Sequence, residues 1–346
     1  MTTASAGRRS VWAVFEAAVA EFPERDFLHV PLEACRAYSS EAITLRYARV
    51  RERVAVLAAA LERAGYGAGH RVAVALDNRP EFFEYFLALN SLGASVVPLN
   101  AAMGGKELNF VLSHSDAALI VTHEDHAAHV RGALPADTPL HATGRGPASK
   151  GGAEKMPAPG KGAIAERGEA SLLYTSGTTG KPKGCVLTNE YFLEIGRLYT
   201  SLGGYCRFDG SDDRLATPLP VTHMNALAVS FMAMLETRGC LIQLDRFHPS
   251  TWWQSLRTSR ATAFHYLGVM PAMLLKAPPS RGETQEGRLR FGFGAGVDPR
   301  HHQAFETRFG VPLIEAWAMT ETGAGAWITA NQEPRHVGER CFGKAP

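Results

Sequence analysis

Between residues 44 and 64, Tyr47, Val50, Val54, Leu57 and Leu61 place an apolar side chain at every third or fourth position, the spacing of one helix face. Thr44 stands where a cap would and Gly65 where a helix stops, so the stretch predicts an amphipathic helix. The next segments alternate in character. Residues 71–76 (RVAVAL) form a short apolar run, 81–92 return to helical spacing, and 95–99 and 117–122 are again short and apolar. Apolar runs of strand length separated by helical stretches imply parallel strands joined by crossover helices, because parallel strands cannot be linked by tight hairpins. The predicted fold class is α/β.

The pattern breaks at residues 143–168, where Gly, Ala, Pro and Lys dominate and large apolar residues are too few for a packed element. This reads as an exposed linker between a first α/β subdomain (1–142) and a second (169–346). Past it, strand-like runs recur at 172–174, 240–244, 263–266 and 289–293, with helices between them. No fixed-period repeat is present.

Composition narrows the function classes. The 346 residues are 45% hydrophobic and 20% charged, enough for a substantial core. Lys and Arg number 36 against 34 Asp and Glu, a formal net charge of +2, which provides no broad field for nucleic acid or an anionic membrane. Five scattered cysteines without a C-x-x-C pair fit neither a disulfide framework nor a zinc site and point to a reducing cytoplasm. The N-terminal stretch 11–22 is broken by Glu16 and Glu21, so it lacks the apolar core of a signal peptide. Cys185 is expected in the core, Trp252 and Trp253 against a helix, and the pair His301 and His302, which lacks the i,i+4 spacing of a helical metal site, at the surface.

The densest chemical signal is YTSGTTGKPKG at residues 174–184. Thr175, Ser176, Thr178 and Thr179 offer hydroxyls, Gly177 and Gly180 let the backbone approach closely, and Lys183 adds positive charge, a set suited to a polyphosphate. The string does not fit G-x-x-x-x-G-K-[ST], since no glycine lies five positions after Gly177 or Gly180. It resembles the phosphate loop of the adenylate-forming superfamily, which includes acyl-CoA synthetases, adenylation domains of peptide synthetases and beetle luciferases.

Three further segments occur in the order that resemblance implies. In PLPVTHMNAL, His223 resembles the histidine lining the acyl pocket. In FGFGAGVDP, Gly294, Ala295 and Gly296 resemble the adenine-contacting turn, with Gly296 where the family more often has proline. In IEAWAMTET, Thr320 resembles the threonine near the α-phosphate, Glu321 the magnesium ligand and Trp317 a wall of the nucleotide pocket. A single carboxylate suits Mg²⁺, which takes one or two protein carboxylates beside substrate phosphates.

The resemblance thus implies that a carboxylic acid attacks ATP, releasing pyrophosphate and leaving an acyl adenylate that coenzyme A converts to a thioester. The softer likeness of RFGVPLIEAWAMTETGA and FHPSTWWQSLRTSRATAF points within the superfamily to crotonobetaine/carnitine-CoA ligases. Loading of a carrier protein's phosphopantetheine and a non-catalytic nucleotide-binding relic remain alternatives, though retention of Lys183, His223, Thr320 and Glu321 opposes the latter. The resemblance runs to HVGERCFGKAP, just before the family's closing barrel. The expectation is therefore that the barrel, hinge and small C-terminal domain lie outside this chain, which alone would make no thioester.

Overall fold

The computed structural model describes residues 10–134, 137–144, 156–160, 168–175, 181–278 and 288–345. These residues form two compact units, each built on its own sheet. In chain order, β1 (Asp26–Val30) and β2 (Ile43–Arg46) enter one sheet, after which the chain leaves it for the other. There β3 (Arg71–Ala75), β4 (Ser95–Pro98), β5 (Leu119–His123), β6 (Leu140–Thr143), β7 (Glu169–Thr175) and β8 (Lys183–Thr188) stand in the order β6-β5-β3-β4-β7-β8. The chain then returns with β9 (Arg214–Thr217), β10 (Cys240–Gln243), β11 (Ala263–Leu267), β12 (Phe291–Ala295), β13 (Leu313–Trp317) and β14 (Ile328–Thr329). The second sheet runs β14-β13-β12-β11-β9-β10-β1-β2.

The expected α/β class holds, and parallel pairing dominates both sheets. Antiparallel pairing occurs as well, in β7 with β8 and β13 with β14. The first has a plain cause: only seven residues separate Thr175 from Lys183 in the sequence, too few for the crossover that a parallel pair requires.

In the first unit the helix Pro80–Ser91 is apolar nearly all round and buried along its length, as a helix without a polar face must be. Its one well-paired charge, Glu84, meets Arg53 through two hydrogen bonds of 2.6 and 2.9 Å. Behind β4, Arg71 on β3 makes a two-pronged pair with Glu169 on β7 at 2.8 Å, and Ser95 donates to the same carboxylate at 2.7 Å. Glu169 is fully buried, so its charge depends on these partners.

Some local sequence expectations are corrected here. The helix begins at Tyr47, not Thr44, and Arg46 precedes it with no side-chain cap. Residues 43–46 alternate buried and exposed, the period of a strand, and Thr44 meets His29 at 2.8 Å. The described part of the expected linker is also packed rather than exposed: Met156 is buried, Tyr66 donates its hydroxyl to the Pro157 carbonyl at 3.0 Å, and Gly160 donates to Ala118 at 2.9 Å. The rest of that stretch lies outside the described residues. His302 is buried, its Nε2 3.0 Å from the Leu313 carbonyl and 3.2 Å from Glu306, because it shares the inward face of the helix Pro299–Phe309 with Phe305 and Phe309. Trp252 and Trp253 are buried as expected, whereas Cys185 is only half-buried on β8. β7 and β8, which follow residues 143–168 in the sequence, complete the sheet of β3 to β6.

Candidate functional site

The residues expected to carry the chemistry fall into two groups, one in each unit. In the first unit Thr175 ends β7 and Lys183 opens β8, directly across the antiparallel ladder from one another. Their connecting loop is therefore anchored at both ends by paired backbone, with the exposed Lys183 at its mouth. Ser176, Gly177, Thr178, Thr179 and Gly180 lie outside the described residues. Tyr174, one position before the loop, is fixed by its hydroxyl, 2.8 Å from His114 Nδ1.

His223 lies in the segment Val221–Met224, which belongs to the same unit. Val221 donates its N–H to Asn78 Oδ1 at 2.9 Å, a bond across 143 positions of sequence that pins the segment two residues before the histidine. The His223 ring keeps an edge to solvent, while the protein atoms around it displace enough water to hold its pKa below the ordinary imidazole value. It is thus neutral at pH 7, with one nitrogen able to donate and the other to accept.

In the second unit Gly294, Ala295 and Gly296 follow one another at the carboxyl end of β12, and Trp317 ends the neighbouring parallel strand β13. Thr320 and Glu321 come just after, in a turn closed by Gly323 N–H on the Met319 carbonyl at 2.9 Å. Gly294, Ala295 and Gly296 and the Trp317, Thr320, Glu321 group are thereby brought to the carboxyl ends of two neighbouring strands, where open α/β sheets bind ligands. Trp317 and Glu321 are exposed, Thr320 half-exposed. The Glu321 carboxylate is a hard oxygen donor of the kind a magnesium ion takes. Among the described residues no cluster of three acidic, His or Cys side chains could cage a metal; a cation here would rely on phosphate oxygens beside this carboxylate.

Backbone crowding shapes the turn. A Cβ on Gly268 would overlap the Gly296 carbonyl, and one on Gly294 would overlap the Tyr266 carbonyl, so both positions are restricted to glycine. Gly296 has open space around it but a φ of +77°, a conformation L side chains rarely adopt. This explains why proline, with φ locked near −65°, does not stand here.

Sequence reading did not single out the residue that braces this turn. Glu315 on β13 is buried, and its Oε1 accepts from Val297 N–H at 3.1 Å and from the Tyr266 hydroxyl at 3.0 Å. Burial pushes its carboxyl above the usual range, against the pull of those two donors. The only trace in the sequence was an acidic residue inside an apolar strand, LIEAW. Asn78, which holds the His223 segment, was hidden in an ordinary turn sequence, DNRP.

Known proteins agree with this reading of the fold. Residues 15–345 match the family model for the AMP-binding enzymes, and the chain belongs to that family. It is 31% identical over 343 residues to a sulfoacetate–CoA ligase of Cupriavidus necator, covering 96% of this chain and 63% of that protein. With a crotonobetaine/carnitine–CoA ligase of Citrobacter koseri it shares 30% over 302 residues, covering 83% of this chain and 58% of that protein. The chain thus spans about three-fifths of the length of these relatives. Among solved structures, the N-terminal domain of FACL13 from Mycobacterium tuberculosis superposes with a TM-score of 0.79 at 22% identity, over 97% of this chain and 82% of that one. O-succinylbenzoate coenzyme A synthetase from Bacillus subtilis, in complex with AMP, gives 0.76 at 21% identity over 97% and 80%.

Proposed function

We propose that the protein activates a small carboxylic acid with ATP and passes the acyl group to coenzyme A. The observation that carries this reading is the hairpin that places Lys183 opposite Thr175 at the mouth of a Ser/Thr/Gly loop, in a chain matched to the AMP-binding family from residue 15 to 345. A carboxylate oxygen attacks the α-phosphorus of ATP, the bond from that phosphorus to the bridging oxygen breaks, and pyrophosphate leaves. The resulting mixed anhydride, an acyl adenylate, is then attacked by the thiol, and AMP departs.

The protein's own contribution is positioning and charge. Lys183, with Thr175, Ser176, Gly177, Thr178, Thr179 and Gly180, holds the β- and γ-phosphates. Thr320 donates to the α-phosphate, Glu321 holds Mg²⁺, and Gly294, Ala295, Gly296 and Trp317 receive the adenine. When bound, Mg²⁺ adds positive charge against the phosphate oxygens. Neutral His223 donates toward the acid. Coenzyme A as acceptor and a short acid as substrate follow the names of the two relatives, one acting on sulfoacetate and the other on crotonobetaine or carnitine.

All five cysteines are free and no described helix is long and apolar enough to cross a membrane, which supports the cytoplasm as its place. Pyrophosphate exchange into ATP, measured with sulfoacetate, crotonobetaine, carnitine and a panel of short acids, tests the first step. Exchange that requires one of these acids is expected; acid-independent ATP hydrolysis, or none, would remove the proposal.

A further inference from the structure

Within the second unit, three strand ends converge on a single peptide group. β11, β12 and β13 are parallel neighbours, with Tyr266 in register with Gly294 and Gly294 in register with Glu315. The chain leaves β12 through Gly296 and Val297, and the peptide joining these two residues is held from both sides. Its N–H, on Val297, donates to Glu315 Oε1 at 3.1 Å. Its carbonyl, on Gly296, lies so close over Gly268 that a Cβ there would overlap it. The same Oε1 accepts from the Tyr266 hydroxyl at 3.0 Å, and both Tyr266 and Glu315 are buried.

A peptide plane can reverse by rotation about the bonds on either side of it, which exchanges the directions of its N–H and its carbonyl. Gly296 resists such a reversal little, since it lacks a Cβ and has nothing within 4 Å of the place where one would stand. Reversal here would turn the carbonyl oxygen toward Glu315 Oε1, setting one acceptor against another in a buried place and leaving both without that donor. Glu315 therefore decides which way the peptide faces. Its own backbone is secured as well, the Glu315 carbonyl accepting from Ala330 N–H at 3.0 Å and from the Thr329 hydroxyl at 3.3 Å.

We propose that Glu315 is a positioning residue for nucleotide binding: it locks the Gly296–Val297 peptide in one orientation and so fixes the main chain of Gly294, Ala295 and Gly296 that receives the adenine. The inference rests on the reading of the chain as an ATP-using, acid-activating enzyme. A carboxylate that merely tied β13 to β11 would support stability alone. A lock predicts a loss on the nucleotide side, because the acid is assigned to His223, in the other unit.

The test replaces Glu315 with Leu, which keeps most of the volume and removes the accepting oxygen, with Gln, which keeps that oxygen, and separately replaces Tyr266 with Phe. Pyrophosphate exchange is followed against ATP and acid separately, using whichever of sulfoacetate, crotonobetaine or carnitine the wild type exchanges fastest. Since displacements of about 1 Å can cost about 10²-fold, Glu315→Leu should raise KM for ATP by about tenfold or more with KM for the acid little changed. Glu315→Gln should recover most of that loss. Should Glu315→Leu fail to fold, Tyr266→Phe decides alone, by a smaller rise confined to ATP. An unchanged ATP KM, ATP and acid KM rising together, or a Gln variant as weak as Leu overturns the lock. Amide hydrogen exchange supplies a readout independent of turnover: the Val297 N–H of the wild type should be protected, and free exchange at that position overturns the proposal. A wild type inactive with every acid would instead strike the acid-activating reading, with Val297 protection still judging the lock.

Discussion

Lys183 and Glu321 are both exposed, which makes their loss readable as chemistry rather than as unfolding. Lys183→Ala removes a charge from the loop's mouth without opening a cavity. Pyrophosphate exchange should fall at least about tenfold, or about 1.4 kcal/mol of transition-state stabilisation, while the unfolding midpoint stays in place; full exchange by this variant would cost the loop its assignment. Glu321 could have been a helix cap, whose loss costs about 1 kcal/mol. The structure places Thr322, not Glu321, at the N-cap of the short 3-10 turn Gly323–Ala326, without a side-chain bond. Glu321→Gln is therefore expected to weaken magnesium-dependent nucleotide binding and leave thermal stability unchanged. A variant that bound nucleotide normally but melted lower would return Glu321 to a structural role.

At the scale of elements, the turn after β12 depends on two glycines for different reasons, and the difference is measurable. Gly268→Ala forces an atom into the Gly296 carbonyl, so backbone must move and nucleotide affinity should drop together with stability. Gly296→Ala meets nothing within 4 Å and pays only for its positive φ, roughly 1–2 kcal/mol. Denaturant unfolding should rank Gly268→Ala as the more damaging; the reverse order would mean the close approach relaxes cheaply. Much of this architecture was legible beforehand. Strands such as β3, β4, β5, β10 and β11 announced themselves because a strand buried on both faces is a short unbroken apolar run. β8 did not, because KGCVLT is partly exposed and begins in the loop. The candidate site drew its signal from local strings, the 175–183 run and Thr320 with Glu321. It was illegible where tertiary contact decides: Glu315 and Asn78 look ordinary until a neighbouring strand or distant loop is brought against them. The π-turn at Asn225–Ser230 has no sequence period of its own.

At the scale of the whole molecule, the buried ionisable groups predict how stability responds to acid. His265 is pushed down to about 3 by burial, and His29 and His123 to about 4, first by burial and then by the nearby Arg214 and Arg79 respectively. Each titrates near 6.5 in the unfolded chain. Between about pH 6.5 and those lowered values the unfolded state binds more protons than the native one, so stability is fully present above 6.5 and is lost as pH falls. Glu306 adds to this at lower pH. Burial alone would raise its carboxyl, but Arg335, with His302 and the Leu313 N–H, overrides that and holds it at about 2. Its stabilisation is lost between the unfolded value near 4.5 and 2. Glu81, Glu84 and Glu315 act in the opposite sense, since burial raises all three; from about pH 4.5 upward their ionisation offsets part of the histidine gain. Below 4.5 they are protonated in both states and the offset vanishes. The unfolding free energy should therefore decline gently from pH 6.5 to about 5 and steeply from about 4.5 to 3, by a total on the order of several kcal/mol. Denaturant titrations followed by tryptophan fluorescence at half-unit pH steps would show this. A stability that stayed level down to pH 4 would mean that the three histidines accept protons inside the fold.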